Sequence, residues 1–528
     1  MQEHSFTLKD INVGFADGEK EAEESNFLDI FYNENNKYEQ LLKKNNFIIS
    51  GRKGTGKTIL AKYYQKTNNK NNTIIEYSKL NEISLHEYID IETSTVSKDD
   101  RLLFQNFYIY KQFLITIKDN KLKIHDFISK SNSFKDNLKF WYNYHKYKKI
   151  YNKIVKFYND CYPEGPYHEI GIKNTQTITE ASKGQVDANM GVTGSLVESS
   201  LKSELSKEVT MKKKNYIELL ENFKPYILQI LKYINVSIII DDLDEIKMTS
   251  GEHAIDFLIS LVTKVNDINI EIQKVNPKSK CILLLRSDII SGFSSRSSNI
   301  QKILTDSNIE LLWFKDSSGD ELSNMIMHKI QKSTNNNTFN SYSLNDIRKK
   351  IFRKIKGQNK RKHNDTFDMI VNFSFGRPRD VITYLNCIIS KYQGNKNVIN
   401  FTMVKDAEYD YSKKILAELR NEMSFKLDTN TIMDIENLLR NFRKSAFSYQ
   451  EISTFFEANK NNYPLITNLD DILQYLYELG MLGNYREQSN KGKKYYGWSY
   501  RNGGEKLNKN DKIVVHLSVR KALNLVIE

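Results

Sequence analysis

Cysteine is scarce in this chain. Cys161, Cys281 and Cys387 stand far apart among 528 residues. An odd, scattered set excludes a disulfide frame and a cysteine-built metal cluster, and it fits a reducing cytoplasm. Cys281 falls in an apolar strand and reads as packing. Long apolar runs are missing too, and none approaches the ~20 residues of a spanning helix. The start, Met1-Gln2-Glu3-His4-Ser5, lacks the apolar region of a secretory signal. The expectation is a cytoplasmic protein with no membrane partner.

The hydrophobic share is 39%, with 12% aromatic, which is ample for large cores and three or so domains. The net charge is +13. Such a balance permits binding to nucleic acid or another polyanion. It does not require it. Lys, Asn, Ile and Tyr are abundant together, as in proteins of AT-rich bacterial genomes.

Residues 51–58 read Gly51-Arg52-Lys53-Gly54-Thr55-Gly56-Lys57-Thr58, a complete G-x-x-x-x-G-K-[ST] phosphate loop. The apolar strand Phe47–Ser50 precedes it and Ile59-Leu60-Ala61 follows, the strand-loop-helix context the motif requires. Glycines let the backbone curl so that successive N–H groups face phosphate oxygens. Lys57 can reach the β- and γ-phosphates, and Thr58 offers a hydroxyl to Mg²⁺. The helix beginning there adds its positive end. Residues Gly51 through Ile59 are therefore expected to bind ATP.

A second motif spans Val236-Ser237-Ile238-Ile239-Ile240-Asp241-Asp242. Its β-branched run suits a strand buried on both faces of a parallel sheet. Carboxylates at its C-terminal end sit where open α/β sheets bind ligands. Asp241 is read as holding Mg²⁺ through water, and Asp242 as orienting the attacking water. The alternative is a capped turn, with Asp242 or Asp244 at a helix N-cap.

Two β-α-β units need about 60 residues, yet far more separate the loop from this strand. An insertion of roughly 100–120 residues is expected. Residues 1–90 and 216–318 are read as the two parts of the core, 91–215 as the insertion, 319–425 as a helical lid, and 426–528 as a winged helix. The insertion begins lysine- and aromatic-rich: 111–156 holds twelve Lys against three Asp. Its 170–213 part lacks aromatics and alternates over Val186–Val192, suggesting a β-ribbon or a disordered excursion. Helices are expected at 216–234, 252–266 and over 320–415, the last broken by a basic stretch from Arg348 to Lys362. Strands are expected at 73–77, 236–240, 280–285 and 309–314. Helices at 431–442, 448–459 and 469–480, then a basic hairpin at 491–496, describe the winged helix.

Arg286 ends the 280–285 strand. It can donate to the γ-phosphate or the attacking water, or pair with Asp288 as a surface residue. Gly376-Arg377-Pro378-Arg379-Asp380 sets a tight helix start, from which an Arg on a lid can swing towards phosphates.

Together, Gly51–Thr58, the Ile-Ile-Ile-Asp-Asp strand, Leu285–Asp288 and Gly376–Asp380 resemble a group of bacterial P-loop ATPases. That group lies near the AAA and STAND branches and is labelled FunZ-like. Val13–Glu19 is also similar to its start. The likeness covers 1–90 and 216–420 and leaves out the insertion. It implies an ASCE-type parallel α/β sheet. It also implies an adenine contact from Pro378, a sensor from Arg379 or Arg377, and an arginine finger from Arg296 of a neighbouring subunit. The Asp-Asp ending is similar to STAND proteins, where AAA motors usually carry Asp-Glu. This favours a slow ATP-gated switch, in a homo-oligomer or with a separate effector in signalling or phage defence. No nuclease, protease or TIR-like segment is recognisable. The competing expectation is a nucleic-acid-dependent ATPase, carried by the lysines and aromatics at 139–149 and the hairpin at 491–496. A third is a scaffold that binds nucleotide with little turnover.

Overall fold

The computed structural model describes residues 6–33, 35–70, 72–79, 98–127, 134–162, 217–243, 251–293, 298–313, 320–333, 339–355, 364–392, 394, 396–424, 426–488, 493–501 and 505–526. The expected β-ribbon at 170–213 and Arg296 lie outside them. The chain divides into two compact units.

One unit comprises Tyr38–Ser50 and Tyr64–Ile309. Its centre is a parallel sheet of β1 (Ile48–Gly51), β2 (Thr73–Lys79), β3 (Asn235–Asp241), β4 (Lys280–Arg286) and β5 (Asn308–Glu310). The spatial order is β2-β3-β4-β1-β5. Thr73 to Lys79 align in parallel with Asn235 to Asp241, and Ser237 to Ile240 with Lys280 to Leu283. β4 is buried along its whole length, as an apolar run in a doubly covered sheet should be. Leu283 N–H donates to the Phe47 carbonyl over 2.8 Å, seating the β1 segment beside β4. Lys280 is buried, and its ammonium donates to the carbonyls of Leu41, Lys43 and Asn46. It thereby ties down the turn that leads into β1.

Helix α1 (Lys57–Asn68) follows the glycine-rich loop at 51–56. Helices α2 (Lys98–Asp119) and α3 (Phe134–Cys161) come next, then α4 (Gly251–Val275). α2 buries Phe107, Tyr110, Phe113 and Ile117 and packs on β2, β3 and α4. Its Tyr110 hydroxyl donates to Glu271 of α4 over 2.7 Å. α2 is therefore the helix that covers the sheet between two neighbouring parallel strands, a connection such strands need. The described helices of the expected 91–215 insertion belong to the sheet's own unit. α3 packs on α2 through Tyr147, Tyr151, Ile154 and Tyr158. Their four-three-four spacing marks one helix face.

The other unit comprises Met1–Lys37, Gly51–Tyr63 and Glu310–Glu528. It holds α5 (Asp320–Ser333), α6 (Leu344–Ile351), α7 (Thr366–Asn372), α8 (Pro378–Lys391) and α9 (Phe401–Met423). Arg348 lies inside α6, so the helical break starts later than its charge suggests. The reason is amphipathicity: Ile347 and Ile351 are buried on one side while Lys349 and Lys350 stay outside. Helices α10 (Thr429–Phe442), α11 (Tyr449–Ala458) and α12 (Leu469–Glu478) follow. Beyond the expected hairpin, β6 (Ala446–Phe447), β7 (Leu482–Gln488), β8 (Lys493–Gly497) and β9 (Lys512–Val515) form a four-stranded antiparallel sheet, ordered β6-β9-β7-β8. One apolar core runs from Leu322 through Tyr411 and Leu419 to Leu476 and Val519. Residues 426–528 therefore share a core with the helices before them. Among the described residues, no helix is long and apolar enough to cross a membrane.

Candidate functional site

The loop after β1 is shaped by glycine. Gly54 and Gly56 take φ values of +84° and +97°, where other residues are strained. A Cβ on Gly54 would lie 2.9 Å from the Arg379 Cβ, whereas one on Gly56 would meet nothing within 4 Å. Thr55 Oγ1 donates to the Arg52 carbonyl over 2.8 Å, tightening the turn. Lys57 arches back over the loop, and its Nζ donates to the carbonyls of Gly51 (3.1 Å) and Arg52 (3.3 Å). Thr58 and Ile59 occupy the first turn of α1. Ile59 packs beside Ala22, Phe27 and Ile30, and a Cβ on Gly18 would fall 2.8 Å from it. Lys53 is half-buried.

Other parts of the same unit grip the loop. Arg379 N–H donates to the Gly54 carbonyl (3.3 Å), and its Nε donates to the Ala16 carbonyl (3.0 Å). The Arg379 guanidinium stands 3.6 Å from Glu418, whose carboxyl burial pushes above its usual range. Trp313 Nε1 donates to the Thr55 carbonyl over 2.8 Å. Arg52 donates to the Leu479 carbonyl and lies over the rings of Phe375 (5.8 Å) and Tyr500 (5.7 Å). Gly480, at φ +80°, leaves the room Tyr500 and Arg52 need. Sequence reading missed Trp313, Leu479 and Tyr500, because no local spacing links them to the loop at 51–56.

The two arginines of the Gly376–Asp380 turn separate clearly. Arg377 is 1% exposed. Its Nε donates to Asp380 (2.9 Å) and its Nη1 to Glu422 (2.6 Å). Burial opposes its charge, but the two carboxylates outweigh that and hold it protonated. The ion pairs bury the head group of Arg377, the alternative sensor, and Arg379 is the arginine on the loop. Pro378 opens α8 and is buried there.

In the other unit, Asp241 ends β3. It accepts from the Tyr77 hydroxyl (2.5 Å) and from the Asp242 N–H (2.8 Å). Asp242 turns the chain at φ +59°, an uncommon conformation that Asp tolerates better than most. Lys79 lies 3.3 Å from its carboxylate. Arg286 ends β4, which lies between β3 and β1. It is buried and forks onto Asp288 through Nε (3.0 Å) and Nη2 (2.6 Å). Among the described residues, no group of three or more His, Cys, Asp or Glu could hold a metal by itself.

One comparison bears on the helices that follow this loop. Residues 320–420 match the FunZ-associated C-terminal helical domain. The FunZ-type region runs from α5 almost to the end of α9 and includes Arg377, Pro378 and Arg379. It does not reach residues 51–58 or Asp241 and Asp242. No curated protein matches the chain.

Proposed function

We propose that this chain is a Mg²⁺-dependent P-loop ATPase with an ASCE-type core, working as a nucleotide-gated switch. The observation that carries the reading is the loop itself. Gly54 and Gly56 adopt left-handed backbone, Gly56 has open space where a side chain would be, and Lys57 and Thr58 follow directly. That arrangement suits a phosphate chain, which takes backbone N–H groups and one lysine as its donors. Gly51 through Ile59 would line the nucleotide, with Pro378 near the base. Thr58 and Asp241 would serve Mg²⁺, which supplies charge neutralisation when bound. Asp242 would orient water. Arg379 is the lid arginine that a γ-phosphate could draw from the Ala16 carbonyl. Arg286, already forked onto Asp288, could exchange that partner for phosphate.

Helices α10–α12 with the β6–β9 sheet are read as a winged helix that reports nucleotide state through Arg52. The proposed output of the switch is regulation of a separate effector in signalling or phage defence. Lys57→Ala tests the site directly. It should weaken ATP binding by tenfold to a hundredfold, roughly the worth of a charge-assisted hydrogen bond. Unchanged affinity in calorimetry would remove the loop from the nucleotide site.

A further inference from the structure

α3 carries a surface that the ATPase reading does not use. Its inward seam is Tyr147, Tyr151, Ile154 and Tyr158. The opposite row, at the same spacing, is Leu138, Tyr142, His145, Lys149, Asn152 and Lys156, all exposed. Trp141 flanks this row on one side, and Lys146 and Lys153 on the other. Trp141 and Tyr142 are 49% and 59% exposed. Trp141 leans on His145 with ring centroids 4.9 Å apart, and the Lys146 ammonium lies 5.3 Å from the Tyr142 ring. Flat rings thus stand at one end of the row and four lysines continue along it, over about 27 Å of helix. A groove lined by Lys121, Asn152, Lys156, Asn159 and Asp160 adjoins the lysine end.

Two features set this apart from an ordinary solvated face. Lys146/Lys149, Lys149/Lys153 and Lys153/Lys156 are like-charge neighbours at i,i+3 or i,i+4, each pair costing the helix about 0.2–0.5 kcal/mol. Beside them, Leu138, Trp141 and Tyr142 hold apolar surface in water. Both costs are relieved by one kind of ligand, a flexible polyanion that also offers flat rings.

We infer that the outward face of α3 binds single-stranded nucleic acid, with Trp141 and Tyr142 stacking on bases and Lys146, Lys149, Lys153 and Lys156 holding phosphates. A duplex hides its base faces and could use only the lysines. A membrane surface would call for a wide apolar stripe, whereas the apolar stripe of α3 faces α2.

The test is fluorescence anisotropy on the full chain with labelled oligothymidylate, oligouridylate and a duplex, without nucleotide, so its result is independent of the Lys57→Ala result. Single strands should bind at about 50 mM salt, with affinity falling as salt rises. Lys146→Gln, Lys149→Gln and Lys153→Gln together should flatten the log–log salt slope by about 2, at 0.7 per phosphate contact. Trp141→Ala with Tyr142→Ala should lower single-strand affinity at least tenfold and leave the slope unchanged. These side chains are exposed, so melting should not fall in either set of variants. The inference is overturned if nothing binds at low salt. It is equally overturned if the aromatic pair can be removed without loss, or if duplex binds as tightly as either single strand. Preference between oligothymidylate and oligouridylate assigns DNA or RNA.

Discussion

Arg377 and Arg379 stand two positions apart at the start of α8, and their neighbourhoods assign them opposite roles. Arg377 closes a buried triad with Asp380 and Glu422. Removing one member of such a cluster strands the others' charge, which costs about 3–5 kcal/mol. Arg377→Ala should therefore unfold or strongly destabilise the FunZ-type helices, seen as a large drop in melting temperature. Arg379 is 25% exposed and meets Glu418 at 3.6 Å, so Arg379→Ala should leave melting nearly unchanged while weakening ATP binding. Equal melting shifts for the two variants would refute the division. The motif showed two arginines at a helix start. It could not say which was buried, because that depends on Glu422, forty-five positions further along.

At the level of the element, local signals carried much of the outcome. Ser448 and Glu451 form a capping box at the head of α11, each side chain accepting the other's backbone N–H. Lys444 and the Ser448 N–H pull the Glu451 carboxyl down to about 2. A carboxylate held below its unfolded value adds stability above that unfolded value and loses it as pH falls through the folded one. Glu451→Ala should thus cost about 1 kcal/mol at neutral pH, a cap-sized effect tempered by solvent exposure. The gap to the parent should close between pH 4.5 and about 2. Thermal melts at neutral and acid pH measure it, and a constant gap would show that the carboxylate is not responsible.

The strands expected at 73–77, 236–240 and 280–285 were legible for a similar reason: a short apolar run has few stable homes outside a covered sheet. α2 and α3 share aromatic and lysine content, so composition alone does not separate them. Only packing reveals that α2 covers β2 and β3 while α3 is a second layer.

For the whole molecule, the proposed chemistry depends on Asp242 as well as the loop. Asp242→Asn should abolish phosphate release while ATP affinity stays within about twofold, since the change removes a base and little binding. Retained turnover would take Asp242 out of the catalytic role. Sizing the parent chain with and without ATP addresses assembly: a larger species with ATP supports subunits that complete each other's sites, and an unchanged species argues against Arg296 as a finger in trans.

By itself the sequence determined the glycine-rich loop at 51–56, the strand that ends in Asp241, the strand that ends in Arg286, and the positions of most helices. Each rests on short-range rules of backbone freedom, periodicity and capping, which act within a few residues. Tertiary structure decided which arginine lies on the loop, that Arg52 is held by Leu479 and two rings, that four C-terminal strands pair among the described residues, and that α2 packs on the sheet. Those outcomes arise from burial, which pairs residues tens to hundreds of positions apart and leaves no mark in local spacing.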